Sequence, residues 1–442
     1  MKRIITSAGL VVLGAAGAQA IGYAPGFAST DMTKPWSVGL AMSGFYDSNP
    51  LTYPTGGLPV AGGTTLPLIT SWGYNISPYV SGAYSTDQTQ IGARYTFGMD
   101  YYANYPGNKT DYSHIFTLFA NHQFNERYAL NFANNFVYSQ EPEVLGTVGG
   151  GIAVPYRTQQ NNMANNANIT FTSALSERMN LVVGYNNRYL DYEQSPEDVT
   201  SSSNPLGGGS LQALLNRLEN SVLANLEYKL NPQAMVLGGF QYAQIDYIGD
   251  GYLQYYNSDP ATNPMSESRN SRNYYLYAGG SYAFNPDLSV SLKVGGQYSD
   301  LYNTPSDYTG WSSGWSPYVD LSGQWRFSPR GSLQVGFTES FSQTYVLAAN
   351  ATTMVPYLNA SYGITEKLTL SGLAKVSMSD FNGGAYDGQS YNLWMMGINA
   401  SYALNRHLSF DVGYNYDNND SDSAAVWSYT RSKVYFGVTA RY

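Results

Sequence analysis

The chain alternates. In its last ten residues, KVYFGVTARY, Val434, Phe436, Val438, Ala440 and Tyr442 fall at every second position, with Lys433, Tyr435, Gly437, Thr439 and Arg441 between them. Period two predicts a β-strand with one apolar and one mixed face. The same pattern recurs in pairs of segments joined by two to four polar residues: GAYSTDQTQIGARY, HQFNERYALNF, TSALSERMNLVVGY, EYKLNPQAMVL, SYAFNPDLSVSL, QWRFSPRGSLQV, SYGITEKLTL and SYALNRHLSF. Each reads as a hairpin whose turn carries Asn, Ser or Thr, often with Pro, residues that bond their own backbone or preset φ. Sixteen strands come from the eight hairpins; WSVGLAMSGFYDSN at the start and the terminal segment bring the total to about 18.

Longer links rich in Gly, Ser, Pro and Asn separate the hairpins, as at Leu51 to Thr70, Glu141 to Asn162, Glu193 to Glu219 and Gly249 to Asn270. Short turns alternating with long loops predict an all-β fold, a transmembrane antiparallel up-and-down β-barrel with short periplasmic turns and long extracellular loops. A soluble propeller is the competing architecture, but the turns at Pro232, Pro286, Glu366 and Arg406 keep no fixed period. Faces also separate as a membrane wall requires. Trp315, Pro317, Val319, Leu321, Gly323, Trp325 and Phe327 share one face; Ser316, Tyr318, Asp320, Ser322, Gln324 and Arg326 share the other.

Composition sharpens this picture. Charged residues make up 12% of the chain and aromatic residues 15%, with 42 Tyr and 45 Gly, whereas soluble domains carry about a quarter charged residues. Tyrosine suits a boundary between hydrocarbon and water. Tyr84, Phe124, Tyr228, Tyr282, Phe284, Trp325, Phe327, Tyr362 and Tyr402 lie beside the short turns and predict a periplasmic girdle, with Tyr442 closing against Trp36. Mean hydropathy is −0.30, as expected when only alternate residues face lipid.

The opening MKRIITSAGLVVLGAAGAQA has Lys2 and Arg3, an apolar run and small residues at Ala18 and Ala20, the pattern of a signal peptide over residues 1–20. Residues 21–35 then form a short periplasmic segment and 36–442 the barrel, with no plug-sized domain expected before Trp36. Without Lys2 and Arg3 the balance is 20 basic against 31 acidic residues, which disfavours nucleic acid as a partner. With no Cys in the chain, disulfides and a lipid-acceptor thiol are excluded.

GYAP at Gly22 to Pro25, KPWSVGLAMSGFYDSNP at Lys34 to Pro50, SQEPEVL at Ser139 to Leu145 and the terminal SYTRSKVYFGVTARY resemble the β-barrel porin type-2 family of Gram-negative outer membranes. The resemblance extends over essentially the whole mature chain, though only its first and last segments are specific. It implies an outer-membrane, porin-like barrel, and some similar proteins are linked to exopolysaccharide export. A terminal strand ending on a ring also resembles the signal read by the outer-membrane assembly machinery, here Phe436, Val438, Ala440 and Tyr442.

Catalytic chemistry finds little support. Of three histidines, His407 sits in a short turn, and His114 and His122 share the parity of Phe116, Leu118 and Phe124 on the lipid face or its rim. None is placed to activate a nucleophile, and no cofactor is expected. Asp417, Asp420 and Asp422 in DNNDSDS have oxygen ligands for a hard cation, but the turn Gly and distal Glu of a helical calcium loop are missing, so an outer loop is expected. GTVGGGIA at Gly146 to Ala153 lacks the Lys and Ser/Thr of a phosphate loop. SLQALLNRLEN at Ser210 to Asn220 is either a short helix folding into the lumen or the start of the next strand.

Parity places Arg94, Lys293, Asp320, Arg326, Lys375, Asp411, Asp417, Arg431, Lys433 and Arg441 inside the barrel, where they pair with one another or set ion preference. Glu339 shares the parity of Leu333, Val335 and Phe337 and faces lipid unless a bulge resets the register, or else lies in a subunit contact. The expected function is passive diffusion of small hydrophilic solutes through the outer membrane. Alternatives are a polysaccharide export conduit and a surface adhesin or structural barrel, with a homo-oligomer open in each case.

Overall fold

Strands that bury neither face in a soluble core must satisfy every backbone group with another strand, and the chain does so by closing on itself. The computed structural model describes residues 35–59, 65–106, 108–139, 161–193, 211–249, 253, 265–304, 311, 313–344, 346, 348–423, 426 and 428–442. The signal-peptide reading and nearly all of the N-terminal segment, residues 1–34, lie outside them, as does Gly146 to Ala153.

The barrel strands are β1 (Trp36–Asp47), β2 (Ser71–Ser85), β3 (Thr89–Tyr102), β4 (Thr110–Gln123), β5 (Tyr128–Ser139), β6 (Asn162–Ala174), β7 (Met179–Tyr192), β8 (Arg217–Lys229) and β9 (Ala234–Tyr247). They continue as β10 (Ser271–Asn285), β11 (Leu288–Leu301), β12 (Gly314–Ser328), β13 (Gly331–Ser342), β14 (Asn350–Gly363), β15 (Leu368–Asn382), β16 (Ser390–Ala403), β17 (Leu408–Ser421) and β18 (Tyr429–Arg441). All 18 form one antiparallel sheet in sequence order. It closes where β1 pairs with β18, Leu40 opposite Ala440 and Gly44 opposite Phe436. Each of the eight expected hairpins is present.

The turns are built alike. Thr86, Asn125, Ser176, Asn231, Asn285, Ser328, Thr365 and Asn405 each accept a hydrogen bond from a backbone N–H two residues on. In six of them the next N–H is bonded as well, as at Asn405 Oδ1 with Leu408 N at 3.0 Å. The side chain fixes the reversal, so these turns need few residues.

Outward positions carry the large apolar side chains, such as Val80, Leu276, Ile398 and Phe436, all exposed on the isolated chain. Trp36 meets Tyr442 at the seam, ring centroids 5.6 Å apart, and Val38 and Tyr442 exchange two backbone hydrogen bonds. Inward positions carry Ser, Asn, Thr and the buried charges, as period two requires.

Candidate functional site: the barrel lumen and its loop-end mouth

The inner wall is less uniformly small than alternation suggests. Tyr79, Tyr277, Tyr357 and Tyr435 point inward, each directly opposite a glycine on the preceding strand: Gly39, Gly239, Gly336 and Gly413. A Cβ on any of these glycines would come within 2.2–2.4 Å of the facing ring. The rings therefore lie along the wall over bare backbone. From there Tyr435 donates to Asn399 Oδ1 (3.1 Å) and Tyr277 to Asn225 Oδ1 (2.7 Å), each two strands away. Laid flat, a large ring lines the wall without crossing the lumen.

All ten charged residues read as inward have inward parity in the observed register. Lys293 and Asp320 pair at 3.0 Å, and Arg94 lies over the Tyr79 ring at 4.1 Å. Lys433 lies over Phe45 at 4.3 Å. Arg431 holds Asp47 through Nε at 2.9 Å and Nη2 at 2.5 Å, joining the last strand to the first. Lys375 and Asp417 are buried, both opposite Met395 of β16, and Asp411 is buried beside Thr439. Arg326 and Arg441 sit elsewhere. Arg326 is exposed at the turn end, 3.7 Å from Asp287, and Arg441 is exposed and bonds Arg406 O.

A second charged group was missed. Glu219 receives Arg217 Nε at 2.6 Å and Arg188 Nη1 at 3.5 Å, all three buried. Reading the β7–β8 link as running to Glu219 hid its parity with Ser221, Asn225 and Glu227; β8 in fact begins at Arg217. Asp47 and Asp100 were also passed over, although each shares its strand's inward parity.

At the loop end the chain folds inward. Both readings of SLQALLNRLEN hold, since Leu211–Leu215 forms a helical turn, α1, and the strand follows from Arg217. Ala213, Leu214 and Leu215 join a buried cluster with inward Leu190 and Tyr192 of β7 and with Leu253, Trp311 and Ala349 from other loops. Val346 and Ala348 join a second cluster with inward Ala351, Phe381, Tyr391, Leu393 and Met395. Arg269, fully buried, spans these segments. Its Nη1 donates to Leu214 O (3.0 Å), its Nη2 to Thr344 O (2.8 Å), and its guanidinium lies 4.6 Å from the Tyr247 ring centre. Tyr247 in turn donates to Gln343 Oε1 at 2.6 Å.

One expectation changes. DNNDSDS is largely strand rather than loop, so Asp417 faces inward and Asp420 outward, while Asp422 caps Ser390 N at 2.6 Å. These carboxylates cannot share a cation. Glu339 faces outward opposite Val319 and Met354, with no bulge beside it; the β12–β13 irregularity lies at the turn, between Trp325 and Ser328. His114 and His122 are outward, bonded to Tyr95 Oη and Thr89 Oγ1 at 2.8 Å each, and His407 Nδ1 meets Arg441 O in its turn. Phe436 and Tyr442 are exposed on the outer face, with Val438 and Ala440 between them.

A closed 18-stranded antiparallel barrel with an apolar exterior, a polar interior and alternating short and long links is a transmembrane barrel of the outer-membrane type. The chain belongs to the family described as Putative beta-barrel porin 2, whose model matches residues 216–442. No curated protein is similar enough to match it. Among solved structures it is similar to OccAB4 of Acinetobacter baumannii, with 10% identity, 94% of this chain and 100% of that one covered, and a TM-score of 0.43. The outer membrane protein OpdK of Pseudomonas aeruginosa matches at 9% identity, 92% and 99% coverage and a TM-score of 0.41. For the ferric enterobactin receptor PfeA of the same organism, in a mutant form, identity is 9%, coverage 92% and 81%, and the TM-score 0.41.

Proposed function

We propose that the protein is a passive channel for small hydrophilic solutes across the outer membrane. The observation that carries this reading is the inner wall, where polar side chains and paired charges face a lumen along which the large rings lie flat. A barrel of about this strand number encloses more space than side chains fill, and polar walls keep such a space wet. Both signs of charge occur and most are paired, so ion preference is weak. The apolar mouth segments set a size limit.

Purified protein in planar bilayers is expected to give stepwise, ohmic conductance with little difference between cations and anions. A barrel that inserts fully yet passes no current overturns the proposal. Export of a sugar polymer is the second reading, favoured by the inward Tyr275, Tyr277 and Tyr318. These rings pack against one another with centroids 5.3–5.5 Å apart, which leaves little face for stacking. Glycosyltransferase or polymer-export genes beside its own would favour that reading.

A further inference from the structure

Facing the acyl chains, a polar side chain gains nothing from lipid. On most of the barrel the outward positions between the turn-end and loop-end aromatic rows are apolar, as at Leu292 and Val294 of β11, Leu358 of β14 and Ile398 of β16. Four adjacent strands depart from this. Asn134 of β5, Asn165 of β6, Asn187 of β7 and Asn220 of β8 share the outward parity of Phe136, Ile169, Val183 and Val222. Asn134 stands six residues beyond Tyr128 and four short of Tyr138 on the same strand, about 15 Å above the turn end for a tilted strand. That depth is within hydrocarbon.

The four amides form two couples. Asn134 Nδ2 donates to Asn165 Oδ1 at 2.9 Å, and Asn187 Nδ2 to Asn220 Oδ1 at 2.9 Å, with Tyr185 Oη donating to the same Asn220 oxygen at 2.7 Å. Within the strip the amide N–H groups of Asn165 and Asn220 and the carbonyls of Asn134 and Asn187 stay unused, although a carboxamide supports about four hydrogen bonds. The strip thus presents donors and acceptors together and carries no net charge.

We propose that this face, β5 to β8, is the contact between copies of this chain in the membrane. The occupant follows from geometry. Copies of one exported barrel share a single orientation, so they are related by rotation about the membrane normal, which preserves depth. Any copy therefore offers its carboxamides at the depth where its neighbour needs partners. Having both donors and acceptors, the strip complements itself.

Native mass spectrometry of the full chain, extracted in mild detergent, tests this. Wild type is expected as a multimer, and the variant Asn134→Leu, Asn165→Leu, Asn187→Leu, Asn220→Leu as a monomer that keeps its heat-modifiable band. A monomeric wild type, or a folded quadruple variant that stays multimeric, overturns the proposal. If the quadruple variant fails to insert, single cysteines decide, because the chain has none of its own. Treatment of whole membranes with a short bis-maleimide should cross-link Asn187→Cys into covalent dimers and leave Leu358→Cys monomeric. Equal cross-linking at both sites, or none at Asn187→Cys, also overturns it.

Discussion

At the scale of single residues, the inner wall depends on tyrosine and glycine being matched across strands. Tyr435 lies over Gly413 and reaches Asn399; Tyr277 lies over Gly239 and reaches Asn225. Gly413→Val would push the ring off the wall and into the lumen. The expected loss is about 1–3 kcal/mol from overpacking, measured as a lower unfolding midpoint of the heat-modifiable band. Tyr435→Phe, which removes only the hydroxyl, should cost about 0.5–1.5 kcal/mol. Equal midpoints for the valine variant and wild type would show that the ring is not confined by the glycine. In sequence, Tyr435 and Gly413 are ordinary members of two alternating runs, and their pairing is invisible until the register is known.

Among elements, the short turns and the mouth segments differ in how much of their construction is local. Each turn is closed by a side chain within three residues, so its identity is legible in the sequence. The mouth is closed by Arg269, whose partners Leu214 and Thr344 belong to other loops. Arg269→Ala removes two charge-assisted hydrogen bonds, each worth about 1.5–3 kcal/mol. Loss of even one shifts the balance between seated and displaced loops at least about tenfold. Single-channel records of this variant should show larger, less steady conductance at an unchanged insertion rate. Traces matching wild type would mean that the apolar clusters alone seat the loops.

For the whole molecule, closure rests on β1 meeting β18. Backbone bonds between Val38 and Tyr442, the Trp36–Tyr442 ring contact and the buried Asp47–Arg431 pair lie along this one seam. Replacing Phe436 and Tyr442 together by Ser removes two outward rings and alters no inward side chain. Burial of each ring in lipid is worth about 1.5–3 kcal/mol. If the assembly machinery reads this strand, the double variant should reach the periplasm, fail to insert and be degraded, visible as loss of the heat-modifiable band. Normal surface levels would restrict these rings to a modest role in stability.

The sequence by itself determined the strand count, the face of most strand residues and the position of every short turn, because period two and turn chemistry act over a few residues. Inward parity of Arg94, Lys293 and Arg431 was legible for the same reason. Depth and partnership were not. Arg431 and Asp47 stand 384 positions apart, and nothing local says that they meet; that required the sheet to close with one particular register. Glu219 was hidden by a strand start three residues earlier than composition suggested, and Arg326 and Arg441 share the inward face yet end at the rim. The loop segments that enter the mouth were decided only by tertiary structure, since their apolar residues become a cluster once the barrel wall brings distant loops over one opening.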